Sequence, residues 1–332
     1  MKQRSGGILL IVISIALATS CFAADKKDDE AHMRPQDMPS DLRVVDNIHY
    51  KEAAGQHLWI TFFAPLKKTE GPTPLLVYIH GGGWTGGKRY NMIRPQIANV
   101  FRDLNKEGIT CASIEYRLAA PGVTSVMDSV ADCKDALRFI VKNAQKYGID
   151  PDRIALIGES AGGHLVLTTG LGDEKDYPCD HSISGAPAKV RCIVAYYPRV
   201  SFSDKALLVS KRFDSEKIDK WMEQVLGASW KSDPAMLHKL SPVELVQSNS
   251  PAIQIIHGDQ DTILPVSNAT AMRDSAAAKG VEVECIIVKG AEHCFDGKEI
   301  HPTDVEIEKS TVDFLMRHLA PISTIQATRI SL

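Results

Sequence analysis

Seven mostly apolar runs, separated by segments with helical patterns, constrain the fold of this chain most. They cover residues 57–64, 75–80, 109–116, 153–158, 190–197, 252–258 and 281–290. From Leu75 onward the runs are mostly apolar rather than alternating, which is typical of strands covered on both faces of a parallel sheet. The alternation predicts an α/β fold with a doubly wound, mostly parallel sheet. We expect one domain over 44–320, with antiparallel strands over 44–64 at one edge.

The segments between the runs predict helices, and one segment departs from the simple alternation. Helices are expected over 126–144, 160–171 and 304–320. Residues 199–246 are richer in charge and carry Trp221 and Trp230 among apolar residues at loose helical spacing. This segment has two interpretations: a small cap insertion, or a long helical crossover that packs only on the core.

The N-terminus predicts export. Lys2 and Arg4 precede the apolar run "GILLIVISIALA" and the small-residue stretch "TSCFAA", as in a signal peptide over 1–23. Cys21 allows lipoprotein processing instead, and a membrane anchor is a third interpretation. We expect a periplasmic or secreted protein with a polar linker over 24–43 and a C-terminal tail over 321–332.

Charge and cysteine content limit the partners. The formal net charge is −3 and basic clusters are absent, which argues against nucleic acid as a partner and against membrane insertion of the mature domain.

The six cysteines after Cys21 show no C-x-x-C metal pattern. Export would permit disulfides, and Cys179 with Cys192 is the expected pair.

The stretch "GESAGGH" carries the nucleophile pattern G-x-S-x-G between a predicted strand and a predicted helix. Such a turn is strained, so larger side chains two residues before or after Ser160 would collide with neighbouring elements. The turn lifts the Ser160 hydroxyl above the sheet at the start of a helix, whose N-terminal field favours developing negative charge.

A serine nucleophile needs a base, and in this arrangement an acid and a histidine follow in that order, each after a later strand. "HGDQDTILP" offers Asp259 and Asp261, and "GAEHCF" offers His293. We expect His293 as base and Asp261 as the orienting carboxylate, with Asp259 shaping the turn. His257 and these side chains form no recognisable metal-ligand spacing.

The loop "HGGGWTGGKR" has two readings. Gly82 and Gly87-Lys88 fit most of a phosphate loop, but Arg89 stands where a magnesium-binding hydroxyl is required. The better interpretation is an oxyanion hole, in which the N–H groups of Gly82, Gly83 and Ala161 face a tetrahedral intermediate. Neither a metal nor an organic cofactor is then expected.

Together, "HGGGW" (80–84), "EYRL" (115–118), "DPDRIALIGESAGGHL" (150–165), "HGDQDTILP" (257–265) and "GAEHCF" (290–295) resemble the α/β-hydrolase esterases. The chain is most similar to the bacterial feruloyl-esterase-like (BD-FAE) group, related to hormone-sensitive-lipase-like carboxylesterases. The resemblance implies a Ser160–Asp261–His293 triad with the glycine loop as oxyanion hole. It departs at residues 199–246, after "YRL" and at Cys294.

The expected function is an exported serine esterase acting on a small-molecule or polysaccharide-linked ester. With export, the resemblance implies short-chain, acetyl or hydroxycinnamoyl esters, as on plant polysaccharide. An amidase or exopeptidase would use the same triad. A non-catalytic binding protein with the same fold is the remaining alternative.

Overall fold

The computed structural model describes residues 41–320 except 66, 68, 181, 184 and 185. The predicted signal peptide over 1–23, the linker up to residue 40 and the tail over 321–332 lie outside the described residues. Among the residues described, no helix is both long and apolar enough to cross a bilayer.

One sheet organises the described chain, as the apolar runs predict. Its strands are β1 (Arg43–Ala53), β2 (Gln56–Ala64), β3 (Thr73–Ile79), β4 (Thr110–Ile114), β5 (Ile149–Glu159), β6 (Val190–Tyr196), β7 (Ala252–Gly258) and β8 (Val283–Val288). Their spatial order is β1-β2-β4-β3-β5-β6-β7-β8. The pairs β1–β2 and β2–β4 are antiparallel, and every later pair is parallel. The predicted fold class is therefore confirmed.

Helices cover both faces of this sheet. They are α1 (Pro95–Lys106), α2 (Val126–Lys142), α3 (Ala144–Tyr147), α4 (Ala161–Leu171), α5 (Ser215–Leu226), α6 (Pro234–Lys239), α7 (Pro242–Leu245), α8 (Ser267–Ala278) and α9 (Asp304–Leu319). Apolar residues of α1 and α9 pack on one face, while those of α2, α4 and α8 pack on the other. Two separate apolar cores result, as in a doubly wound sheet.

Residues 199–246 connect β6 to β7 and contain α5, α6, α7 and a short 3₁₀ turn at Trp230–Ser232. Helix α5 buries Met222, Val225 and Leu226 and leaves most of its other side chains partly or fully exposed. The segment also reaches the loop after β7, where the N–H groups of Lys211 and Arg212 donate to the carbonyl of Thr262. It therefore contacts the core and also borders the carboxyl end of the sheet.

The expected Cys179–Cys192 disulfide is wrong: both residues are free thiols. Cys192 lies in β6 and points into the core beneath α1 and α9. Cys179 belongs to the core on the opposite face. The sheet separates the two sulfur atoms, and a disulfide requires Cβ atoms about 4 Å apart.

A buried ionic cluster ties the edge of the sheet to α2. The Lys51 ammonium on β1 donates to Asp132 at 2.6 Å and to Asp135 at 2.5 Å. Arg117 binds Asp132 through two guanidinium nitrogen atoms at 2.7 and 2.8 Å, and Arg138 binds Asp135. Both carboxylates are fully buried, so each depends on these cations.

Asp132→Asn is expected to lower the free energy of unfolding by about 3–5 kcal/mol, because it leaves the Lys51 and Arg117 cations without their shared buried anion. Urea unfolding followed by circular dichroism would measure the change. Asp313→Asn is the matched control, since Asp313 forms an exposed pair with Lys309 and should change stability by less than about 1 kcal/mol. Equal losses in the two variants would contradict a structural role for the cluster.

Candidate active site

A strained turn between β5 and α4 presents Ser160. Its backbone has φ 52° and ψ −116°, a conformation that a residue with a side chain rarely adopts. The Ser160 N–H donates to the carbonyl of Tyr196 at 2.9 Å, which anchors the turn to the end of β6. The hydroxyl therefore stands at the carboxyl end of the sheet and at the N-terminus of α4.

The two glycines of the G-x-S-x-G pattern are needed for packing. A Cβ atom on Gly162 would lie 2.0 Å from the carbonyl oxygen of Ile79 and 2.6 Å from that of His80. A Cβ atom on Gly158 would lie 2.4 Å from the carbonyl oxygen of Gly162. Only glycine allows α4 to approach the end of β3 this closely.

The structure joins Ser160, His293 and Asp261 in one chain of hydrogen bonds. His293 Nε2 lies 2.9 Å from Ser160 Oγ, and His293 Nδ1 lies 2.7 Å from Asp261 Oδ2. Because a carboxylate can only accept, Nδ1 carries the proton, and Nε2 can accept from the serine hydroxyl. The three side chains come from the loops after β5, β7 and β8, and all are buried.

Asp261 is held as an anion. Burial alone would raise its pKa, but hydrogen bonds from His257 and His293 hold the pKa of this carboxyl well below its ordinary value. Its other oxygen accepts from the N–H groups of Ile263 and Leu264 at 2.9 and 2.8 Å. Asp259 is not part of these hydrogen bonds between Ser160, His293 and Asp261. Its carboxylate accepts instead from the Gly290 N–H at 2.8 Å.

The glycine loop after β3 leaves amide donors available. Gly82 and Gly83 have φ of +120° and +60°, which favours glycine. In the described part of the chain, the N–H groups of Gly82, Gly83 and Ala161 donate no hydrogen bond to another residue. Backbone N–H groups without a partner near a serine hydroxyl can donate hydrogen bonds to the oxyanion of a tetrahedral intermediate.

Residues around the loop explain its sequence. The Tyr116 hydroxyl donates to the His80 carbonyl at 2.8 Å, and the two rings stack. Arg89 is buried and binds Thr61 at 2.9 Å and the Glu115 carboxylate. Arg89 thus anchors the loop end to β2 and β4 instead of serving a phosphate.

Several contacts at the site were not anticipated. Glu159 accepts hydrogen bonds from Tyr78 and Tyr197, both at 2.9 Å, and the Tyr197 ring meets the His293 ring edge at 4.7 Å. Glu292 accepts from the N–H and the hydroxyl of Thr262, both at 3.0 Å. The position of Glu159 at the end of β5, and those of Tyr197 and Glu292 shortly after β6 and β8, were the available signal. No group of three or more potential metal ligands occurs among the residues described.

Comparison with known proteins identifies the family of this chain. The family model described as BD-FAE matches residues 62–275. The chain belongs to the BD-FAE family.

Several curated relatives of this BD-FAE chain are esterases by name, and others are non-reducing polyketide synthases. Esterase LipC of Mycobacterium tuberculosis is 30% identical over 227 residues, which cover 68% of this chain and 54% of LipC. The probable isoprenylcysteine alpha-carbonyl methylesterase ICMEL1 of Oryza sativa subsp. japonica is 26% identical, covering 76% of this chain and 57% of ICMEL1. The chain thus spans about half the length of these curated relatives.

Solved structures share the fold of this BD-FAE chain. A truncated carbohydrate esterase from gut microbiota has a TM-score of 0.67 at 22% identity, covering 83% of this chain and 96% of that chain. Thermogutta terrifontis esterase 2 phosphonylated by sarin also has a TM-score of 0.67 at 22% identity, covering 89% and 100%.

Two buried histidines support the site in their neutral form. Burial lowers the pKa of His80 to about 4 and the pKa of His164 to about 3. The unfolded chain protonates both near pH 6.5. Below that pH the unfolded state therefore binds more protons, and stability falls until the folded-state pKa values are reached.

Each of these histidines should make the free energy of unfolding fall by about 1.4 kcal/mol per pH unit between pH 6 and 5. His164→Gln removes one of them, while its amide can still donate to the Leu240 carbonyl that His164 binds. We expect the slope of unfolding free energy against pH to decrease by about that amount. Urea unfolding at several pH values measures it, with exposed His57→Gln as control. An unchanged slope in His164→Gln would contradict a neutral buried His164.

Proposed function

We propose that this protein is a carboxylic-ester hydrolase that works through an acyl-enzyme. The observation that carries the proposal is the hydrogen-bonded chain from Ser160 Oγ through His293 to Asp261. It stands on a strained turn beside amide groups that have no hydrogen-bond partner among the residues described. Membership of the BD-FAE family and the esterase names of several relatives support the same reaction.

Acylation begins with proton transfer. His293 Nε2 takes the proton of the Ser160 hydroxyl while Oγ attacks the ester carbonyl carbon. Asp261 stays ionised and stabilises the imidazolium, which is consistent with its lowered pKa. The imidazolium then gives its proton to the departing alcohol oxygen, and the C–O bond of the ester breaks.

The developing negative charge falls on the former carbonyl oxygen. The N–H groups of Gly82, Gly83 and Ala161 are the proposed donors to this oxyanion. One such donor contributes about 3 kcal/mol in subtilisin, where the loss of one was measured. Because the backbone holds these groups in place, they need no reorganisation during the reaction.

Deacylation repeats the sequence with water. His293 removes a proton from water, the hydroxide oxygen attacks the acyl carbon, and Ser160 leaves with the proton returned by His293. The carboxylic acid is released. This cycle uses only groups of the chain and water.

For the substrate we propose short-chain or hydroxycinnamoyl and acetyl esters, as carried by plant polysaccharides. Membership of the BD-FAE family and the fold shared with a carbohydrate esterase support this choice.

Ser160→Ala should lower kcat by about 10⁶-fold, because the triad acts as a unit. Hydrolysis of p-nitrophenyl acetate, butyrate and octanoate by the two proteins measures the loss, and the chain-length series reports the acyl preference. Ser250→Ala is the matched control, since Ser250 lies in the turn before β7, away from the triad. Equal rates in Ser160→Ala and the unmutated protein would refute the proposed centre.

A panel of matched anilides and esters separates an esterase from an amidase or exopeptidase. We expect ester kcat/KM to exceed that of the matching anilide by more than the difference in their spontaneous hydrolysis. Faster amide hydrolysis would replace the esterase proposal with the peptidase alternative. If a fluorophosphonate labels Ser160 but neither the esters nor the anilides are hydrolysed, the result would favour an acyl acceptor other than water.

We also propose that the protein is exported after cleavage near Ala23 or Ala24, on the strength of the N-terminal sequence. Mass spectrometry of the protein from a cell envelope fraction should find a new N-terminus there. Lipid attached to Cys21 would establish lipoprotein processing instead, and an intact N-terminus in the cytoplasm would contradict export.

A further inference from the structure

Arg199, three residues after β6, carries a buried cation for which the described residues supply no anion. Arg199 is 3% exposed, and its Nη1 donates to the Leu207 carbonyl at 3.3 Å. Its Nε has no hydrogen-bond partner in the part of the chain that the structure describes. The buried residues Arg89, Arg117 and Arg138 differ, because each binds at least one carboxylate.

Aromatic rings surround this guanidinium. It lies 5.5 Å from the centre of the Trp221 ring and 5.7 Å from that of Phe202. Trp221 in turn lies 5.2 Å from Trp84. Cation–π contacts stabilise a guanidinium partly, but they do not satisfy its N–H groups.

The same cluster holds a second donor without an acceptor. Trp84 Nε1 is buried, and no described residue accepts a hydrogen bond from it. Like Arg199 Nε, it can only donate. His164 Nδ1 also lacks a partner, and it is an acceptor because Nε2 of the same ring donates to the Leu240 carbonyl at 2.9 Å. Two of the three nitrogen atoms therefore call for an acceptor from outside the described chain.

The cluster borders the reaction centre. Trp221 Nε1 lies 3.9 Å from the position of a Cβ on Gly83, in the glycine loop. His164 lies one turn after Ser160 on α4 and contacts Trp84. Trp221 contacts both the guanidinium and the glycine loop, and it is only half-buried.

Physical chemistry disfavours such a cation standing alone. Burial lowers the pKa of Arg199 to about 10, and no carboxylate of the described residues opposes that effect. A buried charge normally has a counter-charge, because the loss of hydration is otherwise uncompensated. A buried guanidinium beside a reaction centre would recover the free energy of its lost hydration when a ligand with an anionic group binds.

We propose that Arg199 binds a carboxylate carried by the ester substrate, with Trp84 Nε1 as a second donor. This inference rests on the proposed ester hydrolysis. The carboxylate belongs either to the acyl part, as in a half-ester of a dicarboxylic acid, or to the alcohol part, as in an acylated acidic sugar. Both place an anion near Ser160 without changing the bond that is broken.

The test compares kcat/KM for charged and neutral members of two substrate pairs. The acyl pair is 4-nitrophenyl hydrogen succinate and its methyl ester, and the alcohol pair is an O-acetylated uronic acid and its methyl ester, assayed by acetate release. Arg199→Met should lower the charged-to-neutral ratio by about 10- to 100-fold for one pair, the effect of losing a charged hydrogen bond. The pair that responds identifies the part that carries the anion.

Two further variants separate binding from a general loss of charge. Arg199→Lys keeps the cation and should retain part of the ratio. Lys231→Met removes an exposed cation from the same segment, where Lys231 contacts Trp230 and Asp219, and should leave the ratio unchanged within about twofold.

A measurement on the unmutated protein keeps the test independent of variant folding. Succinate should inhibit neutral ester hydrolysis competitively, and succinamide should inhibit far less. Equal use of charged and neutral esters, with no inhibition by succinate or by a uronic acid, would overturn the role of Arg199 and leave the esterase proposal standing. Failure to hydrolyse any ester would overturn both.

Discussion

The close contact between α4 and the end of β3 determines the geometry of the whole site. Gly162 lies against the carbonyl oxygens of Ile79 and His80, where no Cβ atom fits. This contact brings the nucleophile turn and the glycine loop side by side at the carboxyl end of the sheet. Both the serine hydroxyl and the amide donors owe their relative positions to it, because each is a few residues from the contact.

The rest of the molecule holds that contact rigid. Ser160 is anchored to β6 through its N–H, and the glycine loop is anchored through Tyr116 and Arg89. The parallel strands β7 and β8, both on the β6 side of β5, place Asp261 and His293 at the same end of the sheet, since the loops after parallel strands emerge together. A small set of backbone contacts thus positions groups that are far apart in the sequence.

Features governed by local backbone strain were predictable from the sequence. The G-x-S-x-G pattern allows few other structures between a strand and a helix, and apolar runs without alternation indicate a sheet buried on both faces. The Ser160, Asp261 and His293 side chains come together in the structure at the strand ends where the sequence places them.

Features that depend on which face of the sheet a residue occupies were not predictable. Spacing suggested a Cys179–Cys192 bond, but the two thiols lie in different cores. Lys51 binds Asp132, which lies 81 positions later in the sequence. A local sequence pattern cannot predict an ion pair between residues so far apart. The choice between a cap and a crossover for residues 199–246 also stayed open, because amphipathic spacing does not say what covers a helix.

The long connection between β6 and β7 differs from the rest of the site in how freely its sequence can change. The reacting groups belong to the sheet and its short loops, whereas Arg199 and Trp221 belong to this connection. Helix α5 buries only three side chains fully, so most of its positions can be substituted at little cost in folding free energy. The sequence of this connection can therefore change at many positions without disturbing the strand-end loops that hold Ser160, Asp261 and His293.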